Sequence, residues 1–240
     1  MKGENGSIPA FARDILRTLE AAGSEAYCVG GCVRDTLLGR TPGDWDITTS
    51  ARPEETLALF GADALPTGLR HGTVTVRRPD GSAEVTTFRR DGDYTDHRHP
   101  ESVAFTDSLT EDLARRDFTV NAMALSLRGE LRDPFHGRED LAAGRIRCVG
   151  EPARRFGEDA LRILRGLRLA AQLGFSLHPL RGAGGPPCHC AGADLHRGPE
   201  AAGGGAALRR AAGVPGGFRR LLAGASAHAG VRPAELSSLL

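Results

Sequence analysis

Lysine is nearly absent from this chain of 240 residues, because Lys2 is the only lysine among its 31 basic residues. We interpret the excess of arginine as codon bias toward GC-rich DNA. A strong net charge is missing as well, since the formal balance is +1 at pH 7. Residues 1–180 carry 24 basic and 27 acidic side chains, whereas residues 181–240 carry 7 and 3. Neither part is basic enough to indicate nucleic-acid binding by charge alone.

Long apolar segments are also missing. The chain has no apolar run of about twenty residues and no signal-peptide h-region, so we expect neither membrane insertion nor export. Cysteine is scarce, odd in number and scattered, with five residues in all. This pattern argues against a disulfide framework and favours reduced thiols, so the expected localisation is cytoplasmic.

A glycine pair inside the stretch 29–50 is the first informative feature. Gly30 and Gly31 end a short apolar run and stand just before a helical pattern from Cys32 to Leu38. Glycines at a strand-to-helix turn let backbone N–H groups approach a ligand closely, and the following helix N-terminus favours a phosphate. Arg34, one turn further on, could bind that phosphate bidentately. The sequence therefore predicts a phosphate site at this turn.

Two aspartates follow about ten residues later, in the segment Asp44-Trp45-Asp46-Ile47, which reads as a short strand. Residues two apart on a strand share a face, so both carboxylates should project together while Trp45 and Ile47 enter the core. Like charges held side by side repel unless a cation lies between them, and carboxylate oxygens suit Mg²⁺. Either motif alone is common in turns and on solvated edges, but the two together predict a magnesium site beside a phosphate site.

Alternating residues predict a hairpin further along the chain, formed by strands within 68–78 and 83–89. Glu84 lies on the second strand, and alternation alone leaves open whether it faces the two aspartates or the solvent. Residues 90–110 are polar and aperiodic, which indicates a long loop. His97 and His99 lie in this loop, but without a third ligand they do not indicate a metal site.

Besides the pattern from Cys32 to Leu38, helical periodicity predicts helices in four further segments: Ile8–Ala22, Arg52–Leu59, Glu111–Leu125 and Glu158–Leu173. In the last of these, Leu161, Leu164 and Ala171 form the expected apolar side. Asp159 and Arg162 are one turn apart, which for an isolated pair predicts a salt bridge on a solvated helix face.

The combination G-G-x-V-R-D and D-x-D resembles the signature of the tRNA nucleotidyltransferase and poly(A) polymerase family, the class II branch of the polymerase-β-like nucleotidyltransferases. The string R-R-D-F-T-V-N-A at 115–122 is similar to the hinge motif of that family, and E-D-x-x-R at 158–162 resembles its nucleobase-selecting motif. The stretch Leu131–Cys148 also resembles the family, so that five matching blocks occur in order over residues 26–175.

The resemblance implies a fold and a division into domains. We expect an α/β head at 1–138, with a mixed sheet of about five strands and flanking helices, followed by an incomplete all-α neck at 139–178. Residues 181–240 differ, because 32 of these 60 residues are Gly, Ala or Pro and no amphipathic period is legible. Residues 179–240 are then either a flexible low-complexity tail or, as we favour, the product of a shifted coding frame near residue 180.

The resemblance also implies an activity, which is template-independent transfer of CMP and AMP from CTP and ATP to the 3′ end of tRNA. Asp44 and Asp46 would hold two Mg²⁺ ions, and Glu84 would be a third catalytic carboxylate. Asp117 would orient Arg116. The nucleotide-binding residues implied by the matching motifs are Gly30, Gly31, Arg34, Arg116, Asp159, Arg162, Arg165 and Arg168.

Other functions remain open at the level of sequence. A poly(A) polymerase, or a specialist that adds only A or only CC, would carry the same motifs. A nucleotide-binding remnant that cannot hold tRNA is the non-enzymatic alternative. The oligomeric state cannot be predicted.

Overall fold

A computed structural model describes residues 8–92, 103–159 and 161–178. Within these residues the helices are α1 Ala10–Ala21, α2 Gly31–Leu37, α3 Pro53–Phe60, α4 Leu109–Ala114, α5 Gly137–Ala142, α6 Pro152–Glu158 and α7 Leu161–Leu173. The strands are β1 Ala26–Val29, β2 Asp46–Thr49, β3 Ala64–Gly68, β4 Thr73–Arg78, β5 Gly81–Thr87, β6 Arg89–Asp91, β7 Val103–Phe105, β8 Ala124–Leu125, β9 Leu131–Arg132, β10 Arg145–Ile146 and β11 Ser176–Leu177.

The main sheet has seven strands in the order β3-β4-β5-β2-β1-β8-β9. It is mixed, because β2 pairs in parallel with β5 while β1 pairs antiparallel with both β2 and β8. The predicted hairpin is confirmed, since β4 and β5 pair antiparallel along their full length. The fold class is therefore as predicted, with seven strands in place of about five. Strands β8 and β9 have two residues each, which are too few to show a period.

One hydrophobic core joins the sheet to the helices. The buried face of α1 contributes Ile15 and Leu19, and β2 contributes Ile47, all of which are almost completely buried. Leu169 of α7 belongs to the same core. The predicted boundary at residue 138 thus does not coincide with a gap in the packing of the described residues. The division into head and neck stays a prediction.

The helix predicted for Glu111–Leu125 is wrong beyond its first turn. Helix α4 ends at Ala114, a 3₁₀ turn covers Thr119–Asn121, and β8 follows. Phe118 instead forms a β-bridge with Cys148, and the N–H of Thr119 donates to the carbonyl of Arg147 at 2.9 Å. Pairing with a distant segment has replaced the local helical hydrogen bonds.

The helix predicted for Glu158–Leu173 is interrupted at its start. Helix α6 ends at Glu158, Asp159 is extended with φ −144° and ψ 106°, and α7 begins at Leu161. The predicted apolar side is also displaced, because the buried residues of α7 are Arg162, Gly166 and Leu169 and Ala171 is exposed.

Part of the segment predicted as a loop at 90–110 has regular secondary structure, since β6 and β7 pair antiparallel and α4 begins at Leu109. His97, His99 and the segment 179–240 lie outside the described residues. None of the described helices is both long and apolar enough to span a membrane.

Candidate functional site

The glycine turn lies where β1 passes into α2, as predicted. Gly30 has φ 78° and ψ −134°, a conformation that side chains with a Cβ rarely adopt. A Cβ placed on Gly30 would lie 3.2 Å from Nη1 of Arg116 and 3.5 Å from Oδ2 of Asp46. The glycine is therefore needed both for the turn and for the close approach of these two side chains.

The pairing of β2 with β5 brings two of the predicted carboxylates together. Asp46 and Glu84 are direct partners in this parallel register, so their side chains lie on the same face of the sheet. Glu84 therefore faces Asp46, which alternation alone could not decide, and its side chain is exposed on that face. Asp44 is not part of the strand, because β2 begins at Asp46 and Asp44 lies in the bend before it. Trp45 and Ile47 enter the core as expected.

Electrostatics mark these three residues as one negatively charged cluster, which we call the carboxylate site (Asp44, Asp46 and Glu84). Burial raises the pKa of the Asp46 carboxyl above its ordinary value, and the charges of Glu84 and Asp44 raise it further, while Arg116 opposes the shift. A cation bound here would remove the repulsion.

Gly31 begins α2, and Arg34 follows it one turn later. The guanidinium of Arg34 donates from Nε to Oδ1 of Asp35 and from Nη2 to Oδ2, both at 2.9 Å, and from Nη1 to Oδ1 of Asn121 at 2.7 Å. A Cβ on Gly31 would be 3.6 Å from Nη2 of Arg34. Asp35 and Asn121 thus fix the direction of Arg34, the residue predicted to bind phosphate. Neither of them was selected from the sequence.

Arg116 points toward Gly30 and Asp46, and its side chain is only 17% exposed. Burial lowers the pKa of Arg116, and the charge of Asp112 opposes that shift. Oδ2 of Asp112 lies 3.7 Å from Nη2 of Arg116. The prediction that Asp117 orients Arg116 is wrong, because the carboxylate of Asp117 binds other arginines. Of the two aspartates, Asp112 is the one whose carboxylate contacts Arg116.

Asp112 is the central residue that sequence reasoning missed. It is completely buried and accepts hydrogen bonds from Oγ1 of Thr48 at 3.1 Å, the backbone N–H of Arg89 at 3.3 Å and Nε of Arg115 at 2.9 Å. The available signal was its spacing, since it lies three and four residues before Arg115 and Arg116, which directly follow α4.

Five charged residues around α6 and α7 form a second cluster, the ion-pair network: Asp117, Arg155, Glu158, Arg162 and Arg165. Oδ1 of Asp117 accepts from Nε of Arg162 at 3.0 Å, and Oδ2 accepts from Nη1 of Arg165 at 2.8 Å. Oε2 of Glu158 accepts from Nη1 of both Arg155 and Arg162 at 2.7 Å. Nη2 of Arg155 donates to the carbonyls of Arg115 and Arg116.

The two residues predicted to select the base, Asp159 and Arg162, lie in this region. Both are buried, with 4% and 2% of their surface exposed, respectively. The alternative considered for an isolated pair, a salt bridge on a solvated helix face, does not apply, since neither residue lies on such a face. Oδ1 of Asp159 accepts from the N–H of Leu161 at 2.9 Å, and Oδ2 lies 3.9 Å from Nη1 of Arg165. Arg168 is exposed on α7.

A complete metal cage is not present in the described part of the chain, because no three His, Cys, Asp or Glu residues there converge closely enough. Mg²⁺ typically takes one or two carboxylates and obtains its other ligands from water and substrate phosphates. The carboxylate site offers oxygen ligands only, which fits such a shared ion.

Comparison with protein families gives a match to the poly(A) polymerase head domain over residues 26–147. Among curated proteins, the CCA-adding enzyme of Geobacillus thermodenitrificans (strain NG80-2) is 55% identical over 166 residues, which are 69% of this chain and 41% of that protein. The CCA-adding enzyme of Geobacillus stearothermophilus is 52% identical over 168 residues, 70% of this chain and 41% of that protein. The chain thus spans about two fifths of the length of these relatives.

Two solved structures are similar to this fold. The crystal structure of the Bacillus stearothermophilus CCA-adding enzyme in complex with CTP matches with a TM-score of 0.65 and 46% identity, over 75% of this chain and 42% of that chain. A tRNA nucleotidyltransferase complexed with a primer tRNA and an incoming ATP analog matches with a TM-score of 0.55 and 35% identity, over 68% of this chain and 46% of that one.

Proposed function

Because the chain belongs to the family of the poly(A) polymerase head domain, we propose that it is a tRNA nucleotidyltransferase. The proposed reaction is template-independent addition of CMP and AMP, from CTP and ATP, to the 3′ end of tRNA. The similarity to CCA-adding enzymes supports this specificity within the family.

The observation that carries the proposal is the register of β2 and β5. It holds Asp46 and Glu84 on one face, directly beside the glycine turn and Arg116. Nucleotidyl transfer needs such a juxtaposition, because a negatively charged triphosphate must be held next to the carboxylates that carry the metal. Arg34, near Gly31, and Arg116, near Gly30, supply positive charge at the glycine turn.

The residues present fit a magnesium-dependent site. Asp44 and Asp46 would hold two Mg²⁺ ions. Burial and, beyond it, the charges of Glu84 and Asp44 raise the pKa of Asp46, and bound cations would relieve the repulsion between these carboxylates. When bound, the ions would activate the attacking 3′-hydroxyl and stabilise the leaving pyrophosphate. Glu84, exposed beside Asp46, would be the third carboxylate of the site.

The other residues bind and orient the substrates. The N–H groups at the start of α2 and the guanidinium groups of Arg34 and Arg116 would seat the triphosphate. Asp159 and Arg162 would read the base, assisted by Arg165 and Arg168. Cytosine and adenine present a ring-nitrogen acceptor beside an amine donor, which matches a carboxylate that only accepts and a guanidinium that only donates.

One assay tests the proposal. The protein is incubated with Mg²⁺, labelled CTP and ATP, and a tRNA that lacks its CCA end. Ordered addition of C, C and A supports CCA synthesis, whereas repeated addition of A alone indicates a poly(A) polymerase. Addition of only A or only CC indicates a specialist. Binding of CTP without any transfer indicates a nucleotide-binding remnant, the outcome that would contradict the enzymatic proposal.

A further inference from the structure

The backbone around Asp117 is held in place from a distant part of the chain. The N–H of Val149 donates to the carbonyl of Asp117 at 3.1 Å, and the next residue, Phe118, forms the bridge to Cys148. These pairings fix the position from which the Asp117 side chain leaves the backbone. Asp117 is therefore a rigid point of attachment for whatever its carboxylate binds.

The carboxylate divides its two oxygens between two arginines of α7. Oδ1 accepts from Arg162 at 3.0 Å and Oδ2 from Arg165 at 2.8 Å. Arg162 is also bound through Nη1 to Glu158 and to the carbonyl of Arg155, both at 2.7 Å. Three acceptors thus set the direction of the Arg162 guanidinium plane: the carboxylates of Asp117 and Glu158 and the carbonyl of Arg155. Of these three, Asp117 is the one outside α6.

Arg165 is placed between two carboxylates. Its Nη1 lies 2.8 Å from Oδ2 of Asp117 and 3.9 Å from Oδ2 of Asp159. Its side chain is 55% exposed, so little packing holds it in place. Without the charge of Asp117, electrostatic attraction would draw Arg165 fully onto Asp159 and occupy the acceptor that reads the base amine.

We infer that Asp117 is a positioning residue for base selection. It holds Arg162 in a fixed direction for the base and keeps Arg165 from neutralising Asp159. This inference rests on the proposed function, in which Asp159 and Arg162 read the base. It separates the roles of two neighbours in sequence, since Arg116 serves the triphosphate and Asp117 serves the base.

The test replaces Asp117 by Asn, which keeps the shape and removes the charge. Asp117 uses a different oxygen for each arginine, and in Asn one of these two oxygens is replaced by an NH₂ group that would face the donors of one arginine. Binding of CTP, UTP and inorganic tripolyphosphate is measured by calorimetry in the presence of Mg²⁺. We expect the preference for CTP over UTP to fall about tenfold or more. Affinity for tripolyphosphate, which has no base, should stay within about twofold.

Two further variants serve as controls. Asp117→Glu retains the charge and should retain most of the preference for CTP. Asp14→Asn removes another aspartate–arginine pair, the 2.6 Å contact with Arg78, and should change neither the preference nor the affinity for tripolyphosphate. An unchanged CTP preference in Asp117→Asn, or an equal loss for CTP and tripolyphosphate, would overturn the inference. Absence of any CTP preference in the wild-type protein would instead overturn the proposed base reading itself.

A measurement on the wild-type protein keeps the inference testable if Asp117→Asn does not fold. The Nε–H of Arg162 should give a slowly exchanging proton signal in ¹H–¹⁵N spectra, identified by its absence in Arg162→Lys. We expect this protection to persist when CTP is bound. Exchange as fast as that of an exposed guanidinium in the CTP complex would refute the positioning role.

Discussion

The carboxylate site and the ion-pair network shift the pKa of a carboxyl group in opposite directions. At the carboxylate site, burial and the like charges of Glu84 and Asp44 raise the pKa of Asp46. In the network, burial alone would raise the pKa of Glu158, but the hydrogen bond from Arg162 and the charge of Arg155 outweigh it and lower the pKa. At the carboxylate site, Arg116 compensates the negative charge only in part, which leaves room for the proposed cation. In the network, the arginines pair with the carboxylates and fix the side chains of both.

The largest difference should appear when Asp46 is replaced by Ala. Transfer should fall by about a thousandfold or more, because the variant loses a ligand for the catalytic cation. Thermal stability should not fall, since burial and the like charges of Glu84 and Asp44 already disfavour the ionised carboxylate in the folded state. The readouts are incorporation of labelled CMP and thermal unfolding, with the exposed Asp80→Ala as control. Transfer above about a tenth of wild type would contradict the assignment.

Asp112→Ala, in contrast, should lower the free energy of unfolding. Removing this buried carboxylate leaves Arg115 without its hydrogen-bonded negative partner and Arg116 with Asp46 as the nearby negative charge. Breaking a buried ion pair in this way typically costs about 3–5 kcal/mol. Urea unfolding measures the loss, and Asp112→Asn, which keeps the hydrogen bond from Thr48, should lose less. A cost below about 1 kcal/mol would show that Asp112 is not part of the stabilising charge network.

Base choice should depend on the buried pair Asp159 and Arg162. Wild-type protein should bind CTP and ATP but not UTP or GTP, because uracil and guanine would place donor against donor and acceptor against acceptor. Two unpaired buried contacts amount to roughly a hundredfold in discrimination. Asp159→Ala and Arg162→Ala should therefore lose this preference more than they lose triphosphate binding. Full preference in Asp159→Ala would mean that the base is read elsewhere.

The two glycines of the phosphate turn should also differ. Gly30→Ala places a Cβ at a positive φ and 3.2 Å from Arg116, so we expect a loss of about 1–3 kcal/mol and weaker triphosphate binding. Gly31→Ala meets Arg34 at 3.6 Å, an ordinary contact, and should fold nearly as well as wild type. Equal unfolding midpoints for both variants would contradict the conformational role of Gly30.

The smallest expected effect is a difference in pH dependence. The folded-state pKa of Asp46 is raised, so its contribution to stability is present below the unfolded value and is lost as pH rises through the folded one. Glu158 is the reverse, because its pKa is lowered and its contribution is lost as pH falls. Above about pH 4, Asp46→Asn should therefore gain stability relative to wild type, and Glu158→Gln should lose it. The same sign for both would contradict the contrast.

Much of the carboxylate site was predictable from the sequence because its signals are local. The glycine turn, Asp46 and the hairpin carrying Glu84 each depend on neighbouring residues, and the structure places them as expected apart from the bend at Asp44. The ion-pair network was predicted poorly. Asp117 was matched to Arg116, which is adjacent in sequence, whereas its partners are 45 and 48 residues away.

The sequence by itself determined the strand-to-helix turn, the alternation that buries Trp45 and Ile47, and the family, because short-range periods and fixed spacings carry that information. Only the tertiary structure decided which face Glu84 occupies, since a strand's partner sets its environment. It also decided that the chain after Ala114 leaves the helix, because Phe118 and Thr119 pair with residues 147–148. The burial of Asp112 and Arg162 was decided in the same way, since a charged side chain can be buried only where distant residues supply its partners.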